Sequence, residues 1–171
     1  DINERWKYHL ELAPQFGHKN GKQLCGLASN DVLTYSFKDR MKNVAYVGNM
    51  VSPDGTLILD VSDPKNPREI ARLGMVTGVH SHKVRVANGL MLVNREFVAP
   101  QLAPPDFSGG LGIYDVSSPR NPKRICEWTT PGKGVHRFDF DGELAYISAT
   151  EEGYVGHIMK ILDLRNPAKP E

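Results

Sequence analysis

An eight-residue segment that occurs three times constrains this chain more than any other feature of its sequence. Asp60–Pro67 reads Asp-Val-Ser-Asp-Pro-Lys-Asn-Pro, Asp115–Pro122 repeats it almost residue for residue, and Asp163–Pro170 is a shortened version. The three segments begin 55 and 48 residues apart, a spacing that fits one small antiparallel sheet per repeat better than helical hairpins. The sequence therefore predicts a repeat protein.

The segment is predicted to be the turn that leaves a strand, because each copy follows an apolar run rich in strand-forming residues. Asp and Asn side chains close turns on their own backbone, and each Pro fixes φ and removes a backbone donor. Strand-like pieces align around this turn at 78–86, 90–93, 110–114 and 122–128 in the second repeat, and at 134–140, 144–148 and 154–162 in the third. Four short antiparallel strands per repeat are typical of a β-propeller blade.

The predicted fold class is all-β, with residues 31–171 forming three consecutive four-stranded antiparallel sheets, the last one incomplete, as blades of a partial propeller. Residues 1–30 are predicted to be an arm and loop that pack on the propeller. Because a propeller needs at least four blades, the remaining blades are expected from the same or another chain. The alternative is a compact three-sheet domain whose last sheet keeps an unpaired edge.

Two stretches carry a resemblance to a known family. Gly55–Leu73, with its Asp-Val-Ser-Asp-Pro-x-Asn-Pro core, and Gly142–Ser148, with its Leu-Ala-Tyr-Ile-Ser strand, resemble the LVIVD-repeat β-propeller family. The resemblance covers roughly residues 31 to 171. It implies a propeller of consecutive blades, and it implies no particular chemistry, since the family has no catalytic motif that these residues match.

Histidines recur at one position of the repeat. Gly78-Val-His80 and Gly134-Val-His136 are the same tripeptide in the first strand of consecutive repeats, and His82 lies two residues beyond His80. Alternation along a strand places His80 and His82 on one face, and His136 on the equivalent face of the next repeat. Because this strand lines the channel of a propeller, we expect the imidazoles to converge near one end of it. Whether His80 or His82 corresponds to His136 stays open, although counting from the second strand favours His82.

Neutral imidazoles on separate rigid strands suit a divalent transition metal such as Zn, Cu, Fe or Mn. We therefore predict a metal site formed by His80, His82 and His136. The competing interpretation is that these histidines line the channel and bind only water. His9, His18 and His157 lack this positional recurrence and are expected to be structural.

Two classes of function follow from this pattern. The first is a metal-dependent enzyme that performs hydrolytic, lyase or oxidative chemistry on a small molecule at the channel mouth. The second is a non-catalytic propeller scaffold for protein–protein interaction, since a fold alone does not choose between the two. An insertion at 96–110, rich in Pro and Gly, is longer than a hairpin requires and is either a lid over this site or a surface loop.

Charge and hydropathy exclude several partners. Lys and Arg number 21 against 20 Asp and Glu, and the signs are interspersed, so no nucleic-acid or anionic-membrane surface is expected. No apolar run is long enough to span a bilayer. We expect a soluble protein, either cytoplasmic or exported after removal of a leader. Cys25 and Cys126 form no metal-binding spacing and no disulfide framework.

Overall fold

The described part of the chain is built entirely from antiparallel strands. The structure, a computed structural model, describes the strand at residues 32–35, then residues 44–50, 55–63 and 65–171. The arm predicted over residues 1–30 lies outside this range. Within these ranges there are three antiparallel sheets and no α-helix, which confirms the all-β class. No helix in the same ranges has the length and apolar character needed to cross a bilayer.

The strands follow one another along each sheet with few exceptions. The first sheet contains β1 (Val32–Tyr35), β2 (Val44–Val47), β3 (Thr56–Asp60) and β4 (Arg68–Leu73). The second contains β5 (Val79–His80), β6 (Val84–Ala87), β7 (Leu90–Phe97), β8 (Gly110–Asp115) and β9 (Lys123–Thr129), with β5 and β6 both pairing with β7. The third contains β10 (Val135–Phe140), β11 (Leu144–Thr150) and β12 (His157–Asp163). A short 3-10 turn, Pro100–Leu102, lies between β7 and β8.

The repeated segment opens with the same side-chain-to-backbone turn in each sheet, as predicted. The side-chain oxygen of its first Asp accepts a hydrogen bond from the backbone N–H two residues later, at 3.0 Å for Asp60, 2.8 Å for Asp115 and 2.9 Å for Asp163. This local bond reverses the chain as it leaves the third strand. The turn is therefore specified by the segment itself rather than by its surroundings.

The third sheet has three strands among the described residues, in agreement with its predicted incompleteness. Its last strand, β12, nevertheless carries the first pair of a further ladder. Asp163 and Glu171 exchange backbone hydrogen bonds of 2.7 and 3.2 Å. The equivalent pairs in the other two sheets are Asp60 with Arg68 and Asp115 with Lys123, which begin the ladder to the last strand of each sheet.

The sheets pack face to face in sequence order, and the core lies between them. One cluster of buried residues joins the first sheet to the second; its members include Val44, Tyr46 and Ile58 on one side and Val84, Val86, Met91 and Val93 on the other. A second cluster joins the second sheet to the third; its members include Leu92, Leu111 and Ile113 facing Phe138, Phe140, Ala145 and Ile147. Alternation along each central strand sends successive side chains to opposite faces, so the second sheet contributes to both cores.

Two predicted boundaries are corrected by the structure. The single strand expected over 78–86 is two strands, β5 and β6, because the Asn94 side chain takes the backbone N–H of Lys83 at 2.7 Å and interrupts the ladder. The insertion expected over 96–110 is shorter, since β7 continues to Phe97 before the chain leaves the sheet. Both corrections concern the region that holds the histidines.

Candidate metal centre

Three elements bring the candidate site together where the second sheet meets the third. β5 pairs with the far end of β7, and this register places His80 directly opposite Glu96. An isolated bridge then joins Glu96 to Gly134, just before β10 begins. His136 follows two residues later, so it reaches the same place from the third sheet. We call His80, His82, Glu96 and His136 the His–Glu cluster.

The rings of the cluster are close neighbours. The ring centroids of His80 and His82 lie 5.3 Å apart, and those of His82 and His136 lie 5.2 Å apart. Glu96 stands between the outer two, with Oε2 at 2.7 Å from Nδ1 of His136 and 4.0 Å from Nδ1 of His80. One carboxylate therefore faces imidazoles from two sheets.

Three members of the cluster have donor atoms in positions that suit a metal ion. One ligand atom each from His80, His82 and Glu96 can be chosen so that all lie within 4.8 Å of one another. Tetrahedral ligands at about 2.0–2.2 Å from an ion stand roughly 3.3–3.6 Å apart. Side-chain rotations that shorten these separations by about an ångström would complete such a shell. His136 is outside this group and contacts its carboxylate instead.

The side chain of Asn94 connects the segments that carry the histidines of the cluster. It is fully buried, accepts the N–H of Lys83 at 2.7 Å and donates to the carbonyl of Val135 at 3.0 Å. Its amide nitrogen also lies 3.5 Å from Nδ1 of His82, which is buried as well. One side chain thus fixes the segment that carries His82 and ties it to the strand that carries His136.

The surroundings favour a neutral imidazole at His80. Burial lowers the pKa of His80 below its ordinary value, and the neighbouring His136 adds to this lowering, while the Glu96 carboxylate opposes it. Desolvation penalises the charged form, so the neutral ring predominates at neutral pH. A neutral ring is the form that binds a metal.

The connection between β7 and β8 borders the cluster. The N–H groups of Val98 and Ala99 donate to the carbonyl of Gly78 at 2.9 and 3.1 Å, two residues before His80. Farther along, Phe107 packs edge to face on Phe97, with centroids 5.3 Å apart. The connection is thus attached to the rim of the cluster at both of its ends, and its action as a lid stays a prediction.

The structure brings all three predicted site residues together and adds one that the sequence analysis missed. Glu96 was assigned to the insertion because the apolar run of the second strand ends at Val93. A signal for it was available, since Leu92, Asn94 and Glu96 keep the period of a strand and Glu96 would share a face with a buried residue. Of the other histidines, His157 lies on β12 beside a groove of the third sheet, and His9 and His18 are outside the described residues.

Comparison with protein-family models and with curated proteins gives no match to this chain. The geometry of the His–Glu cluster and the packing of the three sheets are therefore the features of the molecule that bear on its function.

Proposed function

We propose that the protein binds a divalent transition metal through His80, His82 and Glu96 and uses it to act on a small molecule. The observation that carries this proposal is the set of two imidazoles and one carboxylate whose donor atoms lie within 4.8 Å of one another. These side chains come from β5, the segment after it, and β7, which are held in register by backbone pairing. The site is therefore largely organised before an ion arrives.

The donor set suits a catalytic ion better than a purely structural one. Structural zinc sites are usually closed by four protein ligands, whereas catalytic sites have three and keep a position open. Two histidines and one carboxylate suit Zn, Fe, Cu or Mn. When bound, such an ion supplies a Lewis acid that polarises a carbonyl or lowers the pKa of a coordinated water. Hydrolytic and lyase reactions on a small molecule use this chemistry, whereas oxidative reactions would need a redox-active ion such as Fe, Cu or Mn.

His136 is proposed to hold the carboxylate in place rather than to bind the ion. Its Nδ1 lies 2.7 Å from Oε2 of Glu96, at hydrogen-bond distance. Side chains that hydrogen-bond a metal ligand orient it, and their loss commonly weakens metal affinity by about 10–100-fold. His136 is also the most exposed of the histidines in the cluster, so its ring lies on the side from which a substrate would approach.

The proposed setting of the site is a β-propeller of the LVIVD-repeat type, in which the three sheets are consecutive blades. Four observations support it: antiparallel meanders in chain order, sheets that pack face to face in sequence order, a turn that recurs in each sheet, and contacts between the first strands of consecutive sheets. In this setting the His–Glu cluster lies at one end of the channel. A small-molecule ligand at a channel mouth is the arrangement that concave sites favour.

Metal binding by purified protein tests the proposal. We expect equilibrium dialysis against Zn²⁺ and Mn²⁺ at neutral pH to give one bound ion per chain, and His80→Ala combined with Glu96→Gln to abolish it. His157→Ala is the matched control, because His157 is an exposed histidine on β12 and should leave binding unchanged.

A second variant separates the two roles within the cluster. His136→Ala should weaken binding by about 10–100-fold without abolishing it. Circular dichroism must show an unchanged strand content in every variant. Full occupancy in the His80 and Glu96 double variant would refute the metal site, and a wild-type chain that binds neither ion would favour the scaffold alternative.

A further inference from the structure

One face of the third sheet is exposed at positions that are buried in the other two sheets. The register defines these positions, because Tyr46 pairs with Ile58 in the first sheet, Leu92 with Ile113 in the second, and Tyr146 with Ile161 in the third. The second residue of each pair lies the same number of positions before the Asp that opens the repeated turn. They are therefore equivalent residues of the repeat.

Only the pair in the third sheet is exposed to solvent. The first two pairs are fully buried, whereas Tyr146 is 37% and Ile161 is 56% exposed. Met159, which is equivalent to the fully buried Leu111, is 74% exposed. Large apolar side chains concentrated on one sheet face mark a surface that another element covers.

The existing interfaces show what covers such a face. Tyr46 and Ile58 are covered by Met91 and Val93 of the next sheet, together with Val84 and Val86 of its inner strand. In the next interface, the face that includes Leu92 and Ile113 is covered by the equivalent residues of the third sheet; these are Ala145, Ile147, Phe138 and Phe140. In both interfaces the covering sheet is the one that follows in sequence.

We infer that the face formed by Tyr146, Met159 and Ile161 is the docking surface for a further four-stranded sheet of the same repeat, following the third one in the same polypeptide. That sheet must present apolar residues at alternate positions of its first two strands, as the second and third sheets do. A groove of about 370 Å³ on this face, lined by Tyr146, Ser148 and Met159 and bordered by Arg137 and His157, would receive those side chains.

The opposite end of the array does not offer an equivalent surface. The other face of the first sheet carries Leu57, Leu59 and Val61, and these residues are already buried. A second copy of the chain could therefore not cover the third sheet by repeating the existing interfaces head to tail. The inference rests on packing alone and does not depend on the metal site or on closure of a ring.

Methionine oxidation provides the test, since its rate follows exposure of the thioether. The 171-residue chain and the complete gene product, purified from its own host, are treated with dilute hydrogen peroxide, and peptide mass spectra follow Met159 and Met91. Met91 is fully buried in the structure and serves as the internal control. We expect Met159 to oxidise rapidly in the 171-residue chain and to lose this reactivity in the complete gene product.

Two outcomes would overturn the inference. Rapid oxidation of Met159 in the complete gene product, whatever its length, shows that no further sheet covers it. Protection of Met159 in the 171-residue chain that increases with protein concentration assigns the surface to a second copy instead.

A substitution gives an independent readout. Ile161→Lys should lower the melting temperature of the complete gene product while leaving that of the 171-residue chain unchanged, because only in the former is the side chain buried. Equal effects in both proteins would contradict the inference.

Discussion

Removing the Asn94 amide should destabilise the junction between the second and third sheets. Asn94→Ala leaves the Val135 carbonyl buried without its 3.0 Å donor and deprives the half-buried Lys83 N–H of its 2.7 Å acceptor. An unsatisfied buried polar group costs about 1–3 kcal/mol, and the Lys83 group lies at the lower end because water can reach it. The loss of unfolding free energy should therefore be about 2–4 kcal/mol.

Urea denaturation followed by circular dichroism measures this loss as a shift of the transition midpoint. The matched control is Asn121→Ala, because Asn121 lies exposed in the repeated turn and its removal should change stability by no more than about 0.5 kcal/mol. The Asn94 variant should also bind the proposed metal less well, since His82 loses a neighbour at 3.5 Å. A loss below about 1 kcal/mol would show that Asn94 is not the anchor of this junction.

Two further predictions concern the turns and one glycine. The Asp that opens each repeated turn has a pKa below its ordinary value of 3.8, because it accepts hydrogen bonds; the donors are Ser62 for Asp60, Ser117 for Asp115 and Arg165 for Asp163. The stability that these carboxylates contribute is therefore present above that pH and is lost as the pH falls below it. The urea midpoint should decrease from about pH 5 to about pH 3, and Asp115→Asn should make this decrease shallower; an equally steep decrease in that variant would contradict the reasoning. Gly134→Ala should lower the free energy of unfolding by about 1–3 kcal/mol more than Gly153→Ala does. Both glycines have positive φ, but only at Gly134 would a Cβ meet a backbone atom, the Arg95 oxygen, at 2.2 Å. Equal melting temperatures for the two glycine variants would show that this close approach is not tight.

Local chemistry made the turns predictable from the sequence. Each Asp that opens the repeated segment closes the turn on its own backbone, so no distant residue is needed to specify it. The convergence of His80, His82 and His136 was predictable for a related reason. Once the repeat is aligned, the two-residue period of a strand determines which side chains share a face.

The break between β5 and β6 and the side-chain contacts of Glu96 could not be predicted from the same local information. The polar residues that extend β7 beyond Val93 resemble the start of a loop, because the side chains of Asn94 and Glu96 have partners in another sheet. Asn94 finds the Val135 carbonyl and Glu96 finds the His136 ring only after the second and third sheets have packed. Tertiary contacts of this kind leave little trace in a short stretch of sequence.

The bridge between Glu96 and Gly134 places the His–Glu cluster across a boundary rather than within one sheet. In an array where each unit contacts only its neighbours, stability is a sum of unit terms and interface terms. An ion bound by His80, His82 and Glu96 of the second sheet, with Glu96 held by His136 of the third, would stabilise these two sheets by about 2.7 kcal/mol at one hundred times its dissociation constant. The metal-bound protein would then unfold in a different order from the metal-free protein. In the metal-bound protein the first sheet would unfold on its own, and the second and third sheets would unfold together.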